Sequence, residues 1–189
     1  MLLLWGFLNF TRVSRRFHAA RKKNTENPKK YKTMNLQWEL KKFEELSPGE
    51  LYAILQLRIE VFVVEQECPF QDADGKDQAA FHLMGWQEGL LAAYTRIMPP
   101  GIAYEFSSIG RVVTSPRARK KGLGRLLMEK SILETISLYG PVDIRIGAQV
   151  YLKKFYTSLG FMQSSDIYLE DNIEHIEMTR KADFRKITT

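Results

Sequence analysis

Arg119, Gly122 and Gly124 span the junction between an apolar run ending at Thr114 and an amphipathic run beginning at Leu123, and their spacing suits the binding of an anion. A helix opening straight out of such a loop presents backbone N–H groups that lack an intrahelical acceptor, together with the positive end of its dipole. Phosphate and pyrophosphate are held at helix starts of this kind. Glycines at 122 and 124 let the backbone approach the anion with no Cβ in the way. The Gly-Lys-Ser/Thr ending of a nucleotide P-loop is missing. The competing reading is a solvated basic turn that does no more than cap a helix.

Other residues with chemical potential are scattered. Residues 65–77 hold Glu65, Glu67, Asp72, Asp74 and Asp77, with Asp74-Gly75 as a turn signal. Their spacing lacks the later bidentate glutamate of a calcium loop. The single cysteine, Cys68, excludes an intrachain disulfide and fits a reducing compartment. Its neighbours Glu67 and Pro69 do not form the electropositive setting of a nucleophile, so it reads as a buried or loop thiol. The three histidines, His18, His82 and His175, form no Cys/His cluster, and no metal is expected. His82 and His175 lie in strand-like runs, where a structural role is the commoner one.

These residues need a scaffold, and the chain is long enough to supply it: 189 residues, 44% hydrophobic. Residues 1–33 carry nine of the 28 Lys/Arg and one of the 22 Asp/Glu, so this arm is +8 and the remainder −2. The remainder therefore offers no basic face for nucleic acid. Residues 1–10 are apolar but short of the ~20 a membrane span needs. The Arg-rich, acid-poor stretch that follows resembles an organellar transit peptide; a disordered leader from an upstream start is the alternative. The expected division is the basic extension 1–33, one domain over 34–182 and a tail 183–189. The domain reads as cytoplasmic unless the arm targets it to an organelle.

From Met34 the patterning mixes α and β. Residues 35–43 alternate like a strand. Ser47, Pro48 and Glu50 mark a helix start, and apolar spacing continues that helix through Val64. Residues 81–86 and 90–98 read as a hairpin about Gln87-Glu88-Gly89. A strand over 107–114, a helix from Leu123 and a strand over 143–148 form a βαβ unit with parallel pairing. A short helix over 151–159 and two final strands, FMQSSDIYLE and IEHIEMTR, complete the order. The predicted fold class is α/β (α+β): a mixed, mostly antiparallel sheet with a central parallel βαβ unit and helices on both faces.

The loop RARKKGLG, set between a strand and a helix, resembles motif A of the GNAT superfamily of N-acetyltransferases. Three blocks in order, 57–83, 109–128 and 168–178, are similar to the ElaA-like subgroup of that superfamily. The resemblance covers everything beyond residue 33. It implies that the strand before the loop is bulged and splays from its neighbour, leaving a cleft for the pantetheine arm of acetyl-CoA. Val112 and Val113 would line that arm. The pyrophosphate would sit on the backbone from Arg119 through Lys120, Lys121, Gly122 and Leu123 to Gly124, with Arg119 and a neighbouring lysine adding charge.

A second motif, Gln149-x-x-Leu152-x-x-Phe155-Tyr156-x-x-x-Gly160-Phe161, resembles GNAT motif B. Gln149 replaces the family's usual Asn but can still hydrogen-bond. Leu152 stands where a small residue is common and Ser158 where a lysine is common, so Leu152 would narrow the space beside the cofactor. The resemblance implies acetyl transfer from acetyl-CoA, as co-substrate, to an amine-bearing acceptor, either a small molecule or a protein amine. Tyr156 is the candidate general acid for the departing thiolate; otherwise its ring is a wedge between Phe155 and Phe161. The Val113 N–H is the candidate oxyanion donor. His82 ranks ahead of Asp77 as general base, with Glu65, Glu67, Asp72, Asp74 and His175 also in view. Acids over 65–77 would suit a cationic acceptor, or else form a solvated loop. Two other classes stay open: a non-catalytic acyl-CoA-binding module, and an interaction protein docking through its basic arm. A homodimer is also left open.

Overall fold

The computed structural model describes residues 35–119 and 122–182. The expectations for the arm 1–33, for Lys120 and Lys121 and for the tail 183–189 lie outside the described residues.

Strand β1 (Gln37–Lys42) leads into helix α1 (Pro48–Arg58). The Ser47 hydroxyl accepts from the Glu50 N–H at 3.2 Å, and the Glu50 carboxylate accepts from the Ser47 N–H at 2.8 Å. That reciprocal cap, worth about 0.5–2 kcal/mol, fixes the start read from the sequence. The helix does not run uniformly to Val64: Ile59–Glu65 widen into π-helical turns. Phe62, Glu65 and Gln66 there line the cleft described below, a setting in which π turns recur.

Strands β2 (Phe81–Gln87) and β3 (Leu90–Met98) pair through a tight turn with Glu88 and Gly89 at φ of 52° and 78°, the hairpin geometry that matches strand twist. After β4 (Ser107–Thr114), helix α2 (Leu123–Tyr139) crosses to β5 (Ile144–Gln149). A single 3-10 turn precedes α3 (Lys153–Thr157). The segment FMQSSDIYLE divides into β6 (Met162–Gln163) and β7 (Tyr168–Glu170). The division falls where Ser164 and Ser165 bond the main chain of Glu177, the second through its hydroxyl, so the ladder is interrupted. Strand β8 (Ile173–Arg180) closes the order.

The sheet runs β1-β2-β3-β4-β5-β8-β6, with β7 also on β8. Every pairing is antiparallel except β4 with β5. Alternation along the strands sends Leu83 and Ile109 to one face, against Leu127, Met128 and Ile132 of α2. Met84, Tyr94 and Val113 go to the other face, against Ile54 and Leu57 of α1. Helices therefore cover both faces, as the sequence predicts. Among the described residues no helix is long and apolar enough to cross a membrane.

Candidate functional site

The parallel pair is brief. Only Ser107 with Ile144 and Ser108 with Arg145 are in register, and beyond them β4 and β5 diverge. A bulge drives the divergence. Between the pairs Tyr94–Val113 and Arg96–Gly110, β3 advances two residues and β4 three. The extra residue falls at Arg111, whose φ is +51°, a left-handed conformation that costs a non-glycine residue about 1–3 kcal/mol and persists only where its surroundings impose it. The resulting cleft, about 680 Å³, has Arg111, Val112, Val113 and Thr114 on one bank and Gly147, Ala148 and Gln149 on the other. Backbone that has lost its strand neighbour can accept an extended ligand as an added strand.

At one end of the cleft α2 begins. Gly122 has φ 78° and ψ 10° at the N-cap, with no side chain to cap the first turn. A Cβ added at Gly124 would meet no atom of the described residues within 4 Å, so among them the space above the first turn is open. Arg119 lines the cleft beside it and donates to both oxygens of Glu65, at 2.5 and 2.8 Å. Both partners are a third or more exposed, where such a pair is worth about 1 kcal/mol at most. An arriving phosphate can therefore take the guanidinium from Glu65. The open first turn, the αL glycine and the exchangeable arginine together fit a pyrophosphate. Across the cleft, Gln149 donates to the Gln66 side-chain oxygen at 3.2 Å.

The acidic segment behaves unlike either expectation for it. Arg58 donates to Asp72 at 2.8 Å and to Asp77 at 3.0 Å. Arg96 donates to both oxygens of Asp74, at 2.6 and 2.8 Å, and to Asp77 at 2.8 Å. Arg111 donates to the Asp72 carboxylate at 2.8 Å and carbonyl at 3.0 Å. Three guanidiniums thus neutralise three carboxylates, with Arg58 wholly buried and Arg96 nearly so. Burial alone would raise the carboxyls of Asp74 and Asp77, but the arginines hold both below the ordinary carboxylate range. These three aspartates are committed to arginines, whereas Glu65 and Glu67 of the same segment are exposed. The aspartates strap α1, β3 and the β4 bulge together, and the strap supplies the surroundings that hold Arg111 at positive φ. Nothing in the sequence spacing relates Arg58, Arg96 and Arg111 to the three aspartates.

Tyr156 sits on α3, buried yet lining the cleft. Its ring packs edge-on against Phe155 and Phe161, with centroids 5.0 and 6.0 Å away. Burial pushes its phenol up to about 12. His82 is placed differently from what the sequence suggests for a base. It is fully buried and does not line the cleft. Its Nδ1 lies 2.8 Å from the Tyr94 hydroxyl and its Nε2 3.0 Å from the Asp77 carbonyl. Burial pushes its pKa down. The Asp77 carbonyl can only accept, so Nε2 carries the proton, Nδ1 accepts from Tyr94, and no ring nitrogen is left over. His175 does line the cleft, and its Nδ1 lies 2.9 Å from the Ile173 carbonyl. That bond places the proton on Nδ1 and leaves the Nε2 lone pair available. Among the described residues no group of three or more His, Cys, Asp or Glu is arranged to hold a metal ion.

Comparison with known proteins identifies the family and agrees with the fold. Residues 53–182 match the family model for an acetyltransferase (GNAT) domain. The protein ElaA of Escherichia coli is 43% identical over 149 residues, which cover 77% of this chain and 97% of ElaA. The ElaA crystal structure superposes with a TM-score of 0.73. The crystal structure of an acyl-CoA N-acyltransferase from Pseudomonas aeruginosa is 44% identical, covers 77% of this chain and 99% of that one, and has a TM-score of 0.74. At the level of fold alone, a GNAT family acetyltransferase from Elizabethkingia anophelis with acetyl-CoA bound, 13% identical, covers 78% of this chain and 98% of that one at a TM-score of 0.53.

Proposed function

The chain belongs to the GNAT acetyltransferase family, and we propose that it moves the acetyl group of acetyl-CoA to an amine by direct attack in a ternary complex. The observation that carries this reading is the continuity of one cleft. It starts at Arg119, three residues before the N-cap of α2, passes the Val112–Val113 backbone on the side where β4 has lost β5, and ends beside Tyr156 and His175. When bound, acetyl-CoA supplies an activated acyl carbon and a thiolate leaving group. The chain's part is to hold and orient. Gly122, Leu123 and Gly124 seat the pyrophosphate, and Arg119 exchanges Glu65 for it. Gln149 and the β4 backbone align the arm, and a backbone N–H of the Val112–Val113 segment donates to the carbonyl oxygen as it gains charge. Tyr156 donates a proton to the departing sulfur. His175 accepts a proton from the attacking amine through Nε2, directly or through one water.

Two results test the seat and the turnover. CoA should raise the melting temperature of the native protein and leave that of Gly122→Glu unchanged, because the variant forces a side chain and a negative charge into a left-handed position. Equal stabilisation of both would contradict the seat. Free-thiol release from acetyl-CoA, followed over a panel of primary amines, should detect turnover. No turnover on any amine despite CoA binding would favour a non-catalytic acyl-CoA-binding module.

His175→Gln should lower kcat about 10²-fold or more, the low end for a general base. Added imidazole should restore part of that loss, while CoA stabilisation stays as in the native protein. Undiminished turnover, or no response to imidazole, would remove His175 from the reaction.

A further inference from the structure

Where β4 and β5 begin to part, between Ser108 and the bulge, lies a second subsite on the α1 side of the sheet that the pyrophosphate seat does not explain. Gly147 forms its floor. A Cβ built there would stand 3.2 Å from the Tyr104 hydroxyl and 3.3 Å from the Tyr168 hydroxyl, so two phenols from opposite rims close over one glycine. Ser108 lines the same space, 1% exposed, and its hydroxyl has no partner among the described residues. Strand alternation aims it there: Ile109 enters the core under α2, so Ser108 points to the opposite face. A buried hydroxyl left unsatisfied is costly, and its natural partner is a ligand or water that enters the cleft.

The charges around this subsite fall into two sets. The arginines are committed: Arg96 and Arg111 to the aspartates, and Arg145 to Glu177 at 3.1 Å while it stacks on Phe106 and Tyr104. Glu170 and Asp171, at the turn between β7 and β8, line the cleft, and their carboxylates have no ion-pair partner among the described residues. The Tyr104 phenol, raised to about 12 first by its burial, also feels the charge of Glu170 and Glu177. Lys76, exposed on the far loop, lines the cleft on the side of Asp74 and has no ion-pair partner among the described residues. The uncommitted charge beside the two phenols and His175 is therefore negative.

We infer that the acceptor is a compact aliphatic amine carrying a second cationic group, with the reacting nitrogen at His175 and the distal ammonium between Glu170 and Asp171. This rests on the transferase reading above and adds the substrate class. The phenols and the Ser108 hydroxyl supply oxygens for the N–H groups of such a ligand, whereas an acceptor bearing a carboxylate would meet Glu170 and Asp171 with like charge.

Three acceptors of equal length separate the alternatives: 1,5-diaminopentane, pentylamine and 5-aminopentanoate, each assayed by thiol release from acetyl-CoA with the full chain. The diamine should exceed pentylamine in kcat/KM by roughly tenfold, the size two partly exposed charge pairs supply, and the advantage should shrink as salt is added. 5-Aminopentanoate should be the poorest. In the double variant Glu170→Gln, Asp171→Asn the ratio of diamine to pentylamine should fall to near one. Equal use of diamine and monoamine by the native protein, preference for the carboxylate-bearing amine, or a ratio that survives the double substitution each overturns this inference and leaves the transferase reading standing. Turnover of none of the three or of any other amine, with CoA stabilisation intact, removes both.

Discussion

Asp72→Ala should lower the stability of the folded protein by about 3–5 kcal/mol, the range for removing one partner of a buried charge network. The Asp72 carboxylate accepts from Arg58 and from Arg111, each at 2.8 Å. Its loss leaves three guanidiniums sharing two carboxylates, with Arg58 wholly out of water. For a chain of this size the melting temperature should fall by roughly 10 °C. Asp72→Asn, which keeps an oxygen but not the charge, should fall between the two. The pH dependence has a definite sign. Asp74 and Asp77 have folded pKa values below their unfolded ones. Their contribution is therefore full above about pH 4, the unfolded carboxylate value, and is lost only as pH falls through their lowered folded values. Function should suffer as well, because the same carboxylate restrains Arg111 at the bulge; CoA stabilisation of Asp72→Ala should be weaker even at temperatures where the variant is folded. An unchanged denaturation midpoint would show that the buried network contributes nothing.

That network marks the boundary of what could be read from residue order. The capping box at Ser47, the hairpin at Glu88-Gly89 and the βαβ unit were legible because each is a local pattern whose physics is complete within a few residues. The loop-to-helix junction proposed as the anion seat was legible for the same reason: Gly122 needs its left-handed φ, and a helix start needs no distant partner. The bulge was expected only through the family resemblance and not from the residues themselves, because Arg111 takes a conformation its own side chain disfavours. Only carboxylates about forty residues earlier in the chain make that conformation stable. His82 misled for a related reason. An imidazole in a strand looks the same in sequence whether it faces a cleft or the Tyr94 hydroxyl, and the Asp77 carbonyl that takes its second nitrogen belongs to a turn with no regular pattern. The π-helical turns at Ile59–Glu65 were hidden because their apolar residues continue the spacing of the helix before them. Local chemistry thus located the start of α2, where the proposed function puts the phosphates, while the geometry of the other end depends on pairings between distant segments.

At that other end, Tyr156→Phe should lower kcat by about 10²–10⁴, the range for loss of a general acid, with KM for acetyl-CoA and CoA stabilisation little changed. The substitution separates the two roles of this side chain. Phenylalanine keeps the edge-on packing against Phe155 and Phe161, so a pure wedge would lose nothing in turnover. An acid would lose its only transferable proton while the fold remained intact. The raised phenol pKa, about 12 and caused first by burial, fits the task. A group that must donate has to be protonated at the working pH, and this one stays protonated far above neutrality. The native pH profile should therefore rise with unit slope as the acceptor ammonium loses its proton, and should show no falling limb from Tyr156 below about pH 11. A thiolate leaving at pH 7 is a weaker base than this phenolate, so complete transfer is uphill. The proton is best shared as the carbon–sulfur bond lengthens, and a phenol held in place beside the cleft can do this without first ionising. If Tyr156→Phe turns over at the native rate, the departing sulfur finds its proton elsewhere and the ring serves packing alone.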